Sequence, residues 1–430
     1  MKHRNHLLQL CILCFLACIV LSGIPGCSYM NIPVIDDVQA KPEKKQGSGN
    51  APVYNSAVIK GMLTGNDKGG SSTMIAAYRI SNGNPEITGY AIPGGNGTFM
   101  LYLPEGLYNL CAFTDYNGNG VYENSEASGC YGTPEKPGDI PVREGALITD
   151  IVIKTSKANG SALKYPLPPK FHENRTFIRQ VTQNGQILKI YSEYFSPENA
   201  QTGYWNPSSF MKSFGAHIYL TEAYNPRKTP ILFVHGTEGT PHNWIYLYMR
   251  LDRSRYQPWF FYYPSGIRLS LAAALLNEEL GELHKKYGFQ KMAIVAHSVG
   301  GLTTRSFLNA YVSEGRNQFI KLFVTFATPW SGFGLADASQ TLTHKSIPVW
   351  VDLGSHSDFI KTTLDKKLPA NVRHYNLYGK NDTLAGNKAV DERALACAAK
   401  AYGFDCTHDS ILSDRKVFAQ FNAILEKELW

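Results

Sequence analysis

The chain has 430 residues, 43% of them hydrophobic, so it can bury ordinary cores in about two to three domains and is not disordered throughout. Its formal net charge is +7, but the lysines and arginines are scattered rather than bunched, which gives little support to nucleic-acid binding.

Residues 1–27 read as a targeting segment. Lys2, His3 and Arg4 form a positive start, and residues 7–21 are an apolar stretch too short and too wrongly flanked for a membrane-spanning helix. Ile24-Pro25-Gly26-Cys27 resembles the end of a bacterial lipoprotein signal, which implies that Cys27 takes the lipid and becomes the first residue. Ser28 resembles the outer-membrane sorting pattern, which implies the cell envelope, facing the periplasm or the cell surface. Pro25 is unusual at its place, so a plain secretory signal is the alternative, and Cys18 is a weaker processing site because the apolar stretch before it is short. Several acyl chains on one cysteine hold a protein firmly on a membrane, where one chain does so only marginally. Residues 28–55 hold Pro, Lys, Gly, Ser and Asn with few large apolar residues and read as a flexible tether.

The eight cysteines divide by position. Cys11, Cys14 and Cys18 leave with the signal, and Cys27 is the anchor. Cys111 with Cys130 and Cys397 with Cys406 remain, one pair in each folded region, as disulfides of an exported protein or as buried thiols. Neither pair has metal-ligand spacing with histidines, so no zinc site is expected.

Residues 56–157 read as all-β. Alternating runs at 57–59, 74–80, 98–103, 108–113 and 148–153, parted by Gly, Asn and Pro clusters, predict a small antiparallel sandwich. Within it, PEGLYNLCAF at 104–113 resembles transthyretin-like or carboxypeptidase-regulatory-like modules. DYNGNGVYENSE at 115–126 fits a calcium-loop spacing. Asp115, Asn117 and Asn119 offer short oxygen side chains at alternate positions, Gly120 allows the sharp turn, and Glu126 can close the shell with two oxygens. The flanks are strand-like, and the alternative is a Gly/Asn-rich hairpin turn. A structural calcium is thus the one ligand expected here, with no cofactor for catalysis.

Residues 158–200 read as a linker, marked by Pro166, Pro168 and Pro169, and a lead-in whose strand-like part is 187–191. From 201 to 430 strands alternate with helices. Strands are predicted at 231–234, 259–263, 292–295, 322–326 and 374–378, and helices at 242–251 and 301–311. Leu269, Ala273, Leu276, Leu280 and Leu283 make a third helix, closed by Gly288, with His284 on its solvated face. This alternation implies a mostly parallel sheet covered on both faces.

The chemistry gathers at Ala296-His297-Ser298-Val299-Gly300. A small residue two before the serine and a glycine two after it let a strand turn sharply into a helix and lift the hydroxyl clear of the sheet. The N–H of Val299 then sits at a helix N-terminus, where backbone donors lack internal partners. A serine hydroxyl needs a base. His408, led in by polar loop residues and followed by an apolar run, is the C-terminal candidate, while His374 lies within a strand and reads as structural. The acid should follow the strand at 374–378. Asp382 has that place, and Asp391, at the start of a predicted helix, is the runner-up. Residues 332–367 form a long connection that could cover the site.

Residues from about 204 to 430 resemble bacterial α/β-hydrolases of the lipase/esterase type, through PILFVHGTEGTPHNW, YQPWFFYYPSG, VAHSVGGLTTR, FATPWSG and THDSIL. The resemblance implies an α/β fold of the α/β-hydrolase kind preceded by the all-β sandwich, and an oxyanion hole made by the N–H groups of Thr237 and Val299. It departs at Ala296, where the family carries glycine, and in lacking an Asp-Gly-Val acid motif. It further implies a Ser-His-Asp hydrolase of carboxylic esters acting on ester or lipid-like substrates at a membrane. An amidase or peptidase on the same triad, and a non-catalytic surface protein keeping the fold, are the competing readings.

Overall fold

The computed structural model describes residues 56–430 apart from 66–72, 92, 94–96, 118–120, 144, 157–162, 164, 168–183, 314–318, 334–346, 386–390 and 397. The targeting segment with Cys27, the tether, Asn119 and Cys397 lie outside the described residues. Among the described residues no helix is long and apolar enough to cross a membrane.

The first eight strands are β1 (Ser56–Gly65), β2 (Thr73–Ser81), β3 (Asn84–Ala91), β4 (Thr98–Pro104), β5 (Gly106–Thr114), β6 (Ala127–Cys130), β7 (Ile140–Val142) and β8 (Leu147–Thr155). They form one sheet in the order β4-β1-β8 and another in the order β3-β2-β5-β6, with β7 paired to β5. Alternate residues of the two sheets, among them Ile59, Leu63, Ile75, Leu101, Leu110 and Ile153, share one apolar cluster. The arrangement is not antiparallel throughout. β8 runs parallel to β1, with Met62 opposite Val152, because it returns from the other sheet instead of from a neighbouring hairpin. β5 and β6 bring Cys111 and Cys130 opposite each other, and the two form a disulfide across the pair.

Between the two sheet regions the strand-like stretch at 187–191 makes only the bridge Ile187–Leu220. Two short helices follow, α1 (Pro197–Trp205) and α2 (Pro207–Phe214). Each has proline in its first turn and an N-cap that accepts a backbone N–H, Ser196 from Asn199 and Asn206 from Ser209. The chain then continues through β9 (His217–Leu220), β10 (Thr229–Val234), α3 (Ile245–Arg250), β11 (Tyr256–Tyr262), α4 (Leu269–Tyr287), β12 (Met292–His297), α5 (Val299–Ser313) and β13 (Ile320–Phe326). After these come α6 (Pro348–Leu353), α7 (Asp358–Asp365), β14 (Arg373–Gly379), α8 (Glu392–Ala396), β15 (Lys400–Phe404) and α9 (Arg415–Leu429).

These strands form one seven-stranded sheet, ordered β15-β14-β13-β12-β10-β11-β9, with only β9 antiparallel to its neighbour. The central strands are buried on both faces, as a covered parallel sheet requires. Leu232, Val234, Ile294 and Ala296 face a cluster built with α4 and α5, while Ile231, Phe233, Ala293 and Val295 face one built with α3 and α9. The strand order reverses at β10, with β11 on one side and β12 on the other, and ligands in such sheets bind beyond the carboxyl ends at that switch. This is the α/β-hydrolase fold.

Cys406 is a buried free thiol whose side chain packs with Leu377, Ile411 and Leu412 in the core beside α9, and Cys397, its expected partner, is outside the described residues. One expectation is corrected in this region. His284 is half-buried instead of solvated, with its ring stacked on Phe319 at 4.1 Å.

β1 is fastened to α4 by a buried ion cluster. Lys60 Nζ lies 3.1 Å from Glu279 and 2.7 Å from Glu282, and His217 Nδ1 lies 2.8 Å from the other Glu279 oxygen. Burial by itself pushes the Glu279 carboxyl up, but His217 and Lys60 outweigh it and hold it below its ordinary value. A carboxyl with a lowered folded pKa adds stability above its unfolded pKa, about 4.3, and loses it as pH falls through the folded value. Glu279→Ala is therefore expected to cost about 1–3 kcal/mol at pH 7, because it removes the carboxylate partner of His217 and one of those of Lys60, which keeps Glu282. Denaturant melts should show that difference shrinking as the pH is taken below about 4.

Candidate active site

Three strand ends of the parallel sheet build the site. β12 ends at His297, and Ser298 takes φ +53°, a left-handed conformation that costs energy for a residue with a side chain. α5 starts at the next residue, Val299. The turn is packed so closely that a Cβ at Gly300 would stand 2.4 Å from the His235 carbonyl oxygen, so glycine is required there. Ala296 is accommodated in the core cluster beside α5.

His408 lies in the loop after β15, which is pinned by hydrogen bonds between Thr407 and Ser410. The Ser298 hydroxyl lies 2.9 Å from His408 Nε2, and His408 Nδ1 lies 2.8 Å from Asp382 Oδ2. The network fixes the tautomer: the carboxylate can only accept, so Nδ1 carries the proton and Nε2 is left to accept from the serine. Asp382 Oδ1 accepts the N–H groups of Leu384 and Ala385 at 2.9 and 2.8 Å. Burial alone would raise the Asp382 carboxyl, but its bond and charge interaction with His408, with these two amides, hold it below the usual carboxylate range. Asp391 is elsewhere engaged: its Oδ2 accepts from the Ser331 hydroxyl at 2.7 Å. His374 is buried in β14 against Thr325, and His356 is exposed.

The loop after β10 lies directly on Ser298. A Cβ at Gly236 would come within 2.6 Å of Ser298 Cβ. His235 shapes this loop, donating Nδ1–H to the Gly236 carbonyl at 2.9 Å while the Tyr263 hydroxyl donates to the His235 carbonyl at 3.0 Å. Burial keeps its imidazole neutral by lowering its pKa to about 4. Glu238, at φ +50°, donates its N–H to Ser265 Oγ at 2.9 Å and accepts Trp205 Nε1–H at 2.9 Å. Thr237, between Gly236 and Glu238, is exposed, and its N–H and that of Val299 have no hydrogen-bond partner among the described residues. These are two donors on either side of the serine, one at a helix start, an arrangement suited to an anionic oxygen.

Sequence reasoning missed His235, Tyr263, Ser265 and Trp205, and also His297, whose Nε2 lies 3.0 Å from the His408 carbonyl. Only His235 had a signal, its place before Gly236. The connection at 332–367 is described in part: α6 is tied to the loop before α4 by Val349 N–H to the Gly266 carbonyl, and Trp350 Nε1–H donates to the Tyr204 hydroxyl at 2.7 Å.

The calcium-loop residues lie between β5 and β6. Glu126 is buried, its Oε1 accepting from Tyr116 N–H at 3.0 Å and its Oε2 from Glu123 N–H at 3.1 Å. Asp115 and Asn117 lie in the same loop, and Asn119 is outside the described residues. Among the described residues no group of three or more His, Cys, Asp and Glu is placed to hold a metal ion.

A family model described as "Alpha/beta hydrolase of unknown function (DUF915)" matches residues 268–394, less than half of the chain. Among solved structures, Bacillus licheniformis lipase BlEst2 in mature form is similar at 20% identity, over 49% of this chain and 98% of that one, with a TM-score of 0.37. Paleococcus ferrophilus monoacylglycerol lipase is similar at 15% identity, over 49% and 98% of the two chains, with a TM-score of 0.39. Aspergillus fumigatus lipase B is similar at 16% identity, over 49% and 56%, with a TM-score of 0.39. No curated protein matches the chain. The matched family stretch contains α4, β12 with Ser298, and β14 with Asp382, and its α/β-hydrolase description agrees with the strand order of the sheet.

Proposed function

We propose that this protein is a serine hydrolase of carboxylic esters. The observation that carries the reading is the continuous Asp382–His408–Ser298 hydrogen-bond chain, ending on a serine held in a left-handed turn at a helix start. Ser298 Oγ attacks the ester carbonyl carbon as its proton passes to His408 Nε2. The oxygen that gains charge is held by the Thr237 and Val299 N–H groups. The intermediate collapses, the alcohol leaves with the proton from His408, and the acyl group stays on Ser298. Water then gives a proton to His408 and its oxygen to the acyl carbon, and release of the acid restores the serine. Asp382 keeps Nδ1 protonated and stabilises the imidazolium that forms in each half.

Ester over amide rests on the sequence likeness to lipases and esterases, so the test compares leaving groups. Purified protein is expected to hydrolyse p-nitrophenyl esters of short or long acyl chains, and a panel of chain lengths defines the acyl preference. Turnover of p-nitroanilides with none of any ester would make the protein an amidase instead.

Two further readings from the sequence are proposed with it. The first is a lipid anchor at Cys27 in the bacterial cell envelope, which would hold the enzyme against lipid-like substrates. Cys27→Ala is expected to release the protein from membrane fractions or to leave its signal uncleaved, as read by fractionation and intact mass. Unchanged partition and mass remove the anchor. The second is a structural calcium in the transthyretin-like region, held by Asp115, Asn117, Asn119 and Glu126. A ligand that binds only the folded state stabilises it, so calcium added after chelation should raise Tm. An unmoved Tm removes that proposal.

A further inference from the structure

We infer that His297 is a positioning residue for His408, acting through the His408 backbone carbonyl. The inference rests on the serine-hydrolase reading, since it gives His297 a role only if His408 is the base. β12 alternates strictly, and Ala293 and Val295 face the cluster that contains Cys406, Ile411 and Leu412. His297 is next on that face, so the sheet directs its ring under the loop that carries His408. There Nε2 lies 3.0 Å from the His408 carbonyl oxygen, and the two rings stand 4.8 Å apart. A carbonyl only accepts, so Nε2 carries the proton. The Trp244 ring stands edge-on to it at 6.4 Å.

The nucleophile and this donor are consecutive residues. One strand end therefore sets both Ser298 Oγ and the backbone of the residue that must meet it 2.9 Å away. His408 gains positive charge in each chemical step, and a second charged ring at this distance would oppose it. Burial, with the nearby His408, lowers the His297 pKa to about 3 despite its backbone bond and the Asp382 charge, so it stays neutral while it donates. The fourth titratable group in this surround is His235, itself neutral.

The test compares two substitutions in the full chain. His297→Phe keeps a ring and removes the donor; His297→Gln keeps an N–H at about the reach of Nε2. A displacement near 1 Å can cost on the order of 10²-fold in rate. The expected result is that His297→Phe lowers kcat by that order with KM little changed, and slows fluorophosphonate labelling of Ser298 by the same factor. Final labelling stoichiometry and Tm should stay near wild type, and His297→Gln should recover most of the rate. Wild-type kcat in His297→Phe overturns the inference. So does a His297→Gln protein as slow as His297→Phe, or a loss accounted for by a smaller labelled fraction, which is the mark of misfolding. Wild-type protein that takes no label on Ser298 overturns the serine-hydrolase reading itself, and this inference with it.

Discussion

Ser298→Ala is expected to lower kcat by about 10⁶ on the best ester substrate, and His408→Ala by about as much, because nucleophile and base act as a unit. The double variant should be little worse than either single one. The structure gives reasons to expect folded proteins in each case. Ser298→Ala removes one hydroxyl and keeps the left-handed turn, whose backbone is held by Ser298 N–H to the Phe326 carbonyl and Gly301 N–H to the Ser298 carbonyl. His408 sits in a loop with its own hydrogen bonds between Thr407 and Ser410. Circular dichroism should therefore match wild type in both, with melting unchanged in Ser298→Ala and lowered in His408→Ala, which leaves the buried Asp382 without its partner, while turnover disappears. A folded Ser298→Ala protein that keeps wild-type turnover would move the nucleophile elsewhere.

The second large effect separates the two acids. Asp382→Asn should cost about 10⁴ in kcat. An amide that turns its NH₂ toward Nδ1 favours the tautomer with the proton on Nε2, which cannot accept from Ser298. Asp391→Asn should leave activity close to wild type, because the Asp391 carboxylate holds the Ser331 hydroxyl and is not the group bonded to His408. The kinetics of the two proteins, measured side by side, decide the assignment. A crippled Asp391→Asn with an active Asp382→Asn would reverse it and leave the enzyme class standing.

How far the sequence could be read followed how local each signal was. The turn from strand to helix around Ser298 is written in five consecutive residues, 296–300, and the strands before it carry β-branched or aromatic runs. β9 and β15 were missed. β9 has only four residues, and β15, LysAlaTyrGlyPhe, is half-exposed with glycine near its end. β3 begins Asn-Pro and has only one buried residue, although Asn82-Gly83 before it is a hairpin signal. The helices α1 and α2 were hidden behind aromatic residues, yet Ser196-Pro197 and Asn206-Pro207 mark both starts.

The site was legible where chain order constrains it. Strand and turn patterns led to Ser298, His408 and Asp382, which the structure brings within hydrogen-bond distance, and ranked Asp382 ahead of Asp391, which also follows β14 but starts a helix. The supporting bonds were beyond reach. His297 meets His408 across 111 residues and Glu238 meets Ser265 across 27, and no local pattern encodes either pair.

The most direct measurement is the position of covalent modification. Wild-type protein treated with a fluorophosphonate, digested and mapped by mass spectrometry should carry one adduct, on Ser298. Labelling should vanish in Ser298→Ala and slow greatly in His408→Ala. An adduct on another serine, or equal labelling of Ser298→Ala, would contradict the account.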